Sequence, residues 1–199
     1  MQPSRGPDPV TFSFDPPERI ANWRPLVHWL LVVPHWAIAY VLRTVSEVLA
    51  IVSWFAIVFT GSLPEGLARF QALSMRYGTR AMTYALFLRE EYPPFTFDTV
   101  ASDPGDDPRV RVDVVPQLAD RNRVTTAFRF ILAIPHVIVL GLLGMAACIV
   151  VLIGGIAVLF TGRWPEGLRE FVVGVLRYSL RFDAYVLLLT DEYPPFSVS

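Results

Sequence analysis

The amino-acid sequence predicts an all-α integral membrane protein of two tandem helical hairpins, with about four proline-broken transmembrane helices and a small strand cluster at the termini and linker. Three observations carry this expectation. The chain repeats itself at an offset of 101 residues: Phe59-Thr60-Gly61-Ser62-Leu63-Pro64-Glu65-Gly66-Leu67 returns as Phe160-Thr161-Gly162-Arg163-Trp164-Pro165-Glu166-Gly167-Leu168, and Glu91-Tyr92-Pro93-Pro94-Phe95 returns as Glu192-Tyr193-Pro194-Pro195-Phe196. Its composition is 53% hydrophobic and only 18% charged, whereas a soluble domain is about a quarter charged. Each copy holds an apolar stretch, Leu26 to Thr60 and Phe128 to Thr161, longer than the roughly 20 residues that cross a hydrocarbon core.

The organisation follows in order. Residues 1–9 are Pro-rich and read as a disordered tail, 10–100 as the first membrane repeat, 101–109 as a polar linker and 110–199 as the second repeat. Val10 to Phe14, Phe95 to Val100, Arg111 to Val115 and Phe196 to Ser199 alternate apolar and polar residues, the period of strands. Pro34 and Pro135 cannot donate the helical hydrogen bond and mark elbows. A short interfacial segment such as Asn22 to Val33, with Trp23, His28 and Trp29, precedes the first; aromatic rings favour that depth. Crossings then run His35 to Phe59 and His136 to Phe160. The Thr-Gly-x-x-Pro-Glu-Gly turn reverses at glycine and starts the next helix at proline, with glutamate suited to the helix dipole. Second helices span Pro64 to Arg89 and Pro165 to Thr190, where Tyr-Pro-Pro-Phe stops them and seats Tyr and Phe at the membrane surface.

Charge sets orientation and excludes some functions. A net charge of −1 argues against nucleic acid, which calls for a basic face. Arginines collect in the N-terminal segment (Arg5, Arg19, Arg24) and linker region (Arg109, Arg111, Arg121, Arg123, Arg129), against Arg69, Arg163 and Arg169 at the turns. The positive-inside bias therefore places termini and linker in the cytoplasm and the turns on the opposite face. The single Cys148 has no partner for a disulfide.

The second helices carry the candidate site. Arg76 and Arg80, like Arg177 and Arg181, stand one turn apart on one face, and Tyr84 and Tyr185 extend each row. If these helices cross, the guanidiniums face a bundle interior and gather four positive charges against Glu47 and Asp183, fit for an anion or lipid head group. If they recline in the interface, their amphipathic pattern lets the arginines snorkel to head groups. Arg43 and Glu47, four apart, can pair with each other. His35 and His136, beside the elbow prolines, read as interfacial hydrogen-bonders; with no Cys pair and no carboxylate set at ligand spacing, no cofactor or metal is expected. Neither a nucleotide loop nor a catalytic constellation is discernible.

Ile134-Pro135-His136, Leu159 to Pro165, Val175-Leu176-Arg177-Tyr178-Ser179-Leu180-Arg181 and Leu189 to Phe196 together resemble the bacterial, mostly actinobacterial, membrane proteins grouped as domain of unknown function 4389. The first half matches more loosely: Met75 and Gly78 stand in the arginine helix, and Arg89-Glu90 replaces Thr-Asp before the tail. The resemblance implies a bacterial inner-membrane protein and supplies no activity. The expected function is a non-catalytic membrane scaffold or accessory subunit, associating with lipid, another membrane protein or itself; the alternative is a transporter-like or anionic-lipid-binding protein using the paired arginines.

Overall fold

The computed structural model describes residues 8–100 and 102–198. Most of the expected N-terminal tail, residues 1–7, lies outside them. In chain order the elements are strand β1 (Val10–Phe14), helices α1 (Arg24–Leu31), α2 (Val33–Thr60) and α3 (Glu65–Ala85), strand β2 (Val110–Val114), and helices α4 (Arg123–Ala127), α5 (Arg129–Thr161) and α6 (Glu166–Val186).

β1 and β2 form an antiparallel ribbon that joins the two repeats. Its register pairs Thr11 with Asp113 and Phe12 with Val112. Phe12 and Val112 are both buried and face the core while Thr11 and Asp113 are not, so a pseudo-two-fold axis passes through the Phe12–Val112 pair. The same axis governs the turns. Gly61 and Gly162 cap α2 and α5 in the left-handed conformation, at φ 77° and 68°, which glycine adopts without steric cost. Each turn is then held by the opposite repeat: Ile20 N–H donates to the Gly162 carbonyl at 2.8 Å, and Arg121 N–H to the Gly61 carbonyl at 3.1 Å. Leu63 N–H adds a bond to the Leu118 carbonyl at 2.7 Å.

These bonds correct the expected topology. Turns that share backbone hydrogen bonds with the N-terminal segment and the linker cannot lie across a bilayer from them, since a hydrocarbon core is about 30 Å thick. α2 begins where α5 ends, for Asn22, just before α1, donates to the Leu159 carbonyl at 3.0 Å. It ends where α5 begins, with Trp54 Nε1 donating to the Thr126 carbonyl at 3.0 Å. The two long helices are therefore antiparallel.

The elements stack in layers. α3 and α6 touch each other and carry the ribbon on one side, while α2 lies on α3 and α5 on α6 on the other. One core serves both repeats: Val10, Phe12, Val110 and Val112 of the ribbon meet Ala68, Ala72 and Met75 of α3 and Leu180 and Ala184 of α6. The outer faces of α2 and α5 stay bare. Phe59, Leu152 and Phe160 are 72%, 66% and 77% exposed. Both helices are long and apolar enough to cross a membrane, yet only 17% and 6% of their most apolar windows are buried within the protein. The shorter α3 and α6 lack that character, so among the described residues two helices rather than four qualify.

Three local expectations change. Pro34 sits in the first turn of α2, and α1 is separated from α2 only by Val32, which keeps right-handed helical dihedrals. Pro135 lies inside an unbroken α5, and the second-half break falls at Phe128 instead. Missing one donor, Pro135 forfeits a single helical bond without interrupting the helix. The segments after the two Tyr-Pro-Pro-Phe tails are not strands: the Asp98 and Val100 carbonyls accept from the Arg76 guanidinium, at 3.4 and 3.0 Å, rather than from a ladder. Finally, α3 and α6 end earlier than their prolines require. Phe87 and Leu188 take φ of 58° and 65°, and Leu88 N–H and Leu189 N–H reach back five residues to the Thr83 and Ala184 carbonyls, the closing bond of a Schellman motif.

Close approach between α5 and the turn that follows it depends on Gly154, where an added Cβ would overlap the Trp164 ring, whereas the space at Gly141 is open. Gly154→Ala is expected to cost about 1–3 kcal/mol by overpacking. Gly141→Ala should stabilise by up to about 1 kcal/mol through helix propensity. Thermal unfolding of the two variants in detergent checks the opposed signs.

Candidate functional site

The arginine rows come first. Arg76 and Arg80 are buried on α3, with side chains 2% and 3% exposed. One carboxylate serves both: Asp103 lies 2.8 Å from Arg80 Nη2 and 3.4 Å from Arg76 Nε. Asp103 is fixed in turn by the backbone, accepting from Gly105 N–H and Val112 N–H, both at 2.9 Å. Arg80 also donates to Thr96 Oγ1 at 3.0 Å. The first pair is thus spent on clamping the linker to α3. On α6, Arg181 donates to the Ser197 carbonyl at 3.3 Å, the residue that matches Thr96 one repeat on. Each row faces its own tail, and the four guanidiniums do not gather into one cluster.

Tyr84 and Tyr185 are buried platforms at the helix ends. His28 stacks on Tyr84 with ring centroids 4.0 Å apart, and its Nδ1–H donates to the Tyr84 carbonyl at 3.0 Å. In the second repeat Arg129 takes that place, lying 4.1 Å over the Tyr185 ring and donating to the Tyr185 carbonyl at 2.9 Å. Arg129 and Arg121 share Asp191, at 2.6 and 2.8 Å. Burial alone would raise Asp191, but the Arg121 hydrogen bond, the Asn122 N–H and the charge of Arg129 hold its carboxyl below the ordinary range.

The elbow histidines sit in matched aromatic nests. His35 Nδ1 shares a hydrogen bond with the Tyr77 hydroxyl at 2.8 Å, and His136 Nδ1 with the Tyr178 hydroxyl at 2.5 Å. Phe95 and Phe196 stack on the two imidazoles at 4.3 Å. Tyr92 and Tyr193 close the sides at 4.7 and 4.6 Å, and their hydroxyls reach the Leu31 and Leu132 carbonyls. Burial pushes the Tyr77 hydroxyl up to about 12, so it acts as a neutral phenol. The Tyr-Pro-Pro-Phe tail is therefore a strap across its own elbow as well as a stop signal. Among the described residues no group of three or more His, Cys, Asp or Glu is placed to hold a metal.

Sequence reasoning missed the contacts that join the repeats. Arg43 does pair with Glu47 at 2.8 Å, and it also reaches Asp183 of the other repeat at 2.8 Å. Arg89 and Asp107 form an ion pair with both side chains 0% exposed. Neither partner pair carries a spacing signal, because the fold rather than a helix period brings them together.

The two nests repeat one arrangement of His, Tyr and tail, and the family comparison follows the same division. The description of domain of unknown function 4389 matches residues 22–96 and again residues 123–197. The chain belongs to this family, in two tandem copies. Each DUF4389 copy contains its elbow histidine, its second-helix tyrosine and its Tyr-Pro-Pro-Phe strap, while β1, β2 and Asp103 lie outside both copies. No curated protein and no solved structure matches the chain.

Two outcomes test this reading of the DUF4389 pair. Asp103→Ala removes the buried carboxylate that Arg76 and Arg80 share and should cost on the order of 3 kcal/mol, whereas Arg177→Ala should change stability by no more than about 0.5 kcal/mol; thermal unfolding separates them. Burial holds His28 down to about 4 from 6.5, so the unfolded chain takes up a proton that the fold excludes. The stability that neutral His28 contributes, on the order of 3 kcal/mol, is present above pH 6.5, falls as pH drops from there and is gone below about 4. His28→Gln should flatten the unfolding midpoint across that window.

Proposed function

We propose that this DUF4389 protein is a non-catalytic membrane scaffold or accessory subunit that lies in one leaflet of the bacterial inner membrane, its helical face in lipid and its ribbon in water. The observation that carries the reading is the bare apolar face of α2 and α5 on the side away from the ribbon. A contiguous apolar face of this kind marks a membrane or protein contact, and α5 has no charged residue after Arg129.

Symmetry supports reclining over crossing. Two antiparallel helices related by a two-fold axis lie perpendicular to it. With the axis along the membrane normal, α2 and α5 run in the membrane plane, as interfacial helices do. With the axis in the plane, the ribbon would sit at mid-depth together with Asp103, Asp106, Asp107 and Arg109, where each charge costs at least about 2.5 kcal/mol. The reclining arrangement also puts the turn arginines Arg69, Arg163 and Arg169 on the same side as those of the N-terminal segment and linker. That enlarged positive side favours the cytoplasmic leaflet, whose surface is anionic. The alternative reading, an anion or lipid binder using both arginine pairs, has less support because Arg76 and Arg80 already hold Asp103.

Labelling decides the arrangement. In a variant with Cys148→Ser, single cysteines at Ser62, Arg163 and Asp106 should all react from the cytoplasmic face, and one at Met145 should be protected from both faces. Labelling of Ser62→Cys and Asp106→Cys from opposite faces would overturn the reclining placement. The wild type should float with liposomes of anionic composition, and Ile149→Lys with Leu152→Lys should reduce that flotation. A wild-type protein that stays monomeric in buffer without detergent and does not float removes the membrane reading altogether.

A further inference from the structure

The two repeats treat one position in opposite ways. Arg76 in the first is covered by the chain that follows its own strap: it donates to the Asp98 and Val100 carbonyls and pairs with the Asp103 carboxylate. The space beside it, between Arg80, Thr96, Asp98 and Asp106, is filled. Its counterpart Arg177 on α6 has no hydrogen-bond or ion-pair partner among the described residues. It lines an open groove of about 600 Å³ between α6 and the end of β1, walled by Phe14, Pro16, Phe171 and Val198. The charged groups in that groove are Arg169, Glu170 and Arg177, a net positive set. The groove opens on the ribbon side, away from the apolar helices.

We infer that the Arg177 groove is a docking site for an acidic loop segment of a partner protein, whose carboxylate takes the place that Asp103 takes at Arg76. The occupied copy of the site specifies the chemistry. Asp103 reaches its arginines from an irregular loop, with a carboxylate that accepts from guanidinium and backbone N–H together. Charge-assisted bonds of this kind are roughly twice as strong as neutral ones, and arginine clusters are a recurring means of recognising acidic motifs. Strand position supports the match: Val112, whose N–H holds Asp103, pairs across the ribbon with Phe12 of β1, and both side chains are buried. Residues 1–7 carry one charged side chain, Arg5, of the wrong sign for the role. The inference deepens the scaffold reading by naming the chemistry of its partner, and it rests on that reading only in supposing that the ribbon side faces water.

The test uses the full chain in detergent and a labelled synthetic peptide of residues 96–108, the segment that fills the first site. The wild-type protein should bind it. The Asp103→Asn peptide, and separately the Arg177→Glu protein, should each weaken binding at least about tenfold, a change of about 1.4 kcal/mol. An Asp103→Arg peptide should recover part of the affinity on the Arg177→Glu protein, which a merely unfolded variant cannot produce. No binding at peptide concentrations of about 1 mM, corresponding to about 4 kcal/mol, overturns the proposal. So does binding indifferent to both substitutions. Displacement of the peptide by equimolar inorganic phosphate, with parent and Asp103→Asn peptides bound equally, identifies a plain anion site and also overturns it. Because no bilayer is present, failure here is distinct from failure of flotation.

Discussion

Each repeat's hairpin turn is held by the chain that leads into the other repeat, through the Ile20–Gly162 and Arg121–Gly61 backbone bonds. This reciprocal clasp is the constraint from which the architecture follows. A hairpin alone would leave the apolar outer side of α2 bare and the opposite side of α3 with nothing to cover it. Crossing the chains lets the two copies build one ribbon over α3 and α6 and fill one core from both halves. The clasp also makes α2 and α5 run in opposite senses, as the Asn22–Leu159 and Trp54–Thr126 contacts record. Neither repeat is complete without the other, so the protein is a fused pseudo-dimer rather than two domains on a string.

The sequence makes the repeat unit legible because its signals are local. Turn chemistry at Thr60-Gly61 and Thr161-Gly162 acts within a few residues and occupies the place expected of it, whereas Pro135 lies inside α5 and both second helices end before their Tyr-Pro-Pro-Phe tails. Family membership is legible for the same reason. What stays hidden is how the repeats meet. Ile20 carries no mark that its N–H belongs to Gly162, and a long apolar helix reads alike whether it crosses lipid or rests in it. Hydropathy measures surroundings, not direction. The candidate site divides along the same line. The arginine row is visible at helical spacing, but Asp103, the group that uses it, sits in a linker where its acidity reads as turn composition. Likewise Arg43 has a visible partner in Glu47 and a hidden one in Asp183.

Duplicated units under one two-fold axis begin with identical surroundings, so departures from symmetry show where the copies have been put to different use. Some departures preserve the role. His28 and Arg129 both cover a buried tyrosine ring and bond its carbonyl, a neutral ring and a planar cation serving the same geometry. Their electrostatics differ: Arg129 keeps its charge and takes Asp191 as counterion, whereas His28 remains neutral at ordinary pH because nothing acidic lies close enough to offset its burial. Arg43, Glu47 and Asp183 mark another departure, since their counterparts are Gly144, Cys148 and Met82. The cross-repeat pair of Arg43 and Asp183 therefore ties α2 to α6, where the symmetric contact of Gly144 and Met82 has no charge.

The departure at Arg76 and Arg177 is of another kind, because there the side chain is kept and its surroundings change. A buried arginine needs a partner, and the linker supplies one at Arg76 only by passing directly from strap to ribbon across α3. A segment that must span this distance in the first repeat is free of that duty in the second, where the ribbon strand β1 comes from the other end of the chain. Retaining arginine at Arg177 half-buried keeps the cost of the cation low, since water reaches it, while preserving the guanidinium donors that Asp103 meets in the first copy. The asymmetry thus follows from connectivity: one arginine site is closed by the chain that must cross it, and the other is left open to whatever acidic chain meets it.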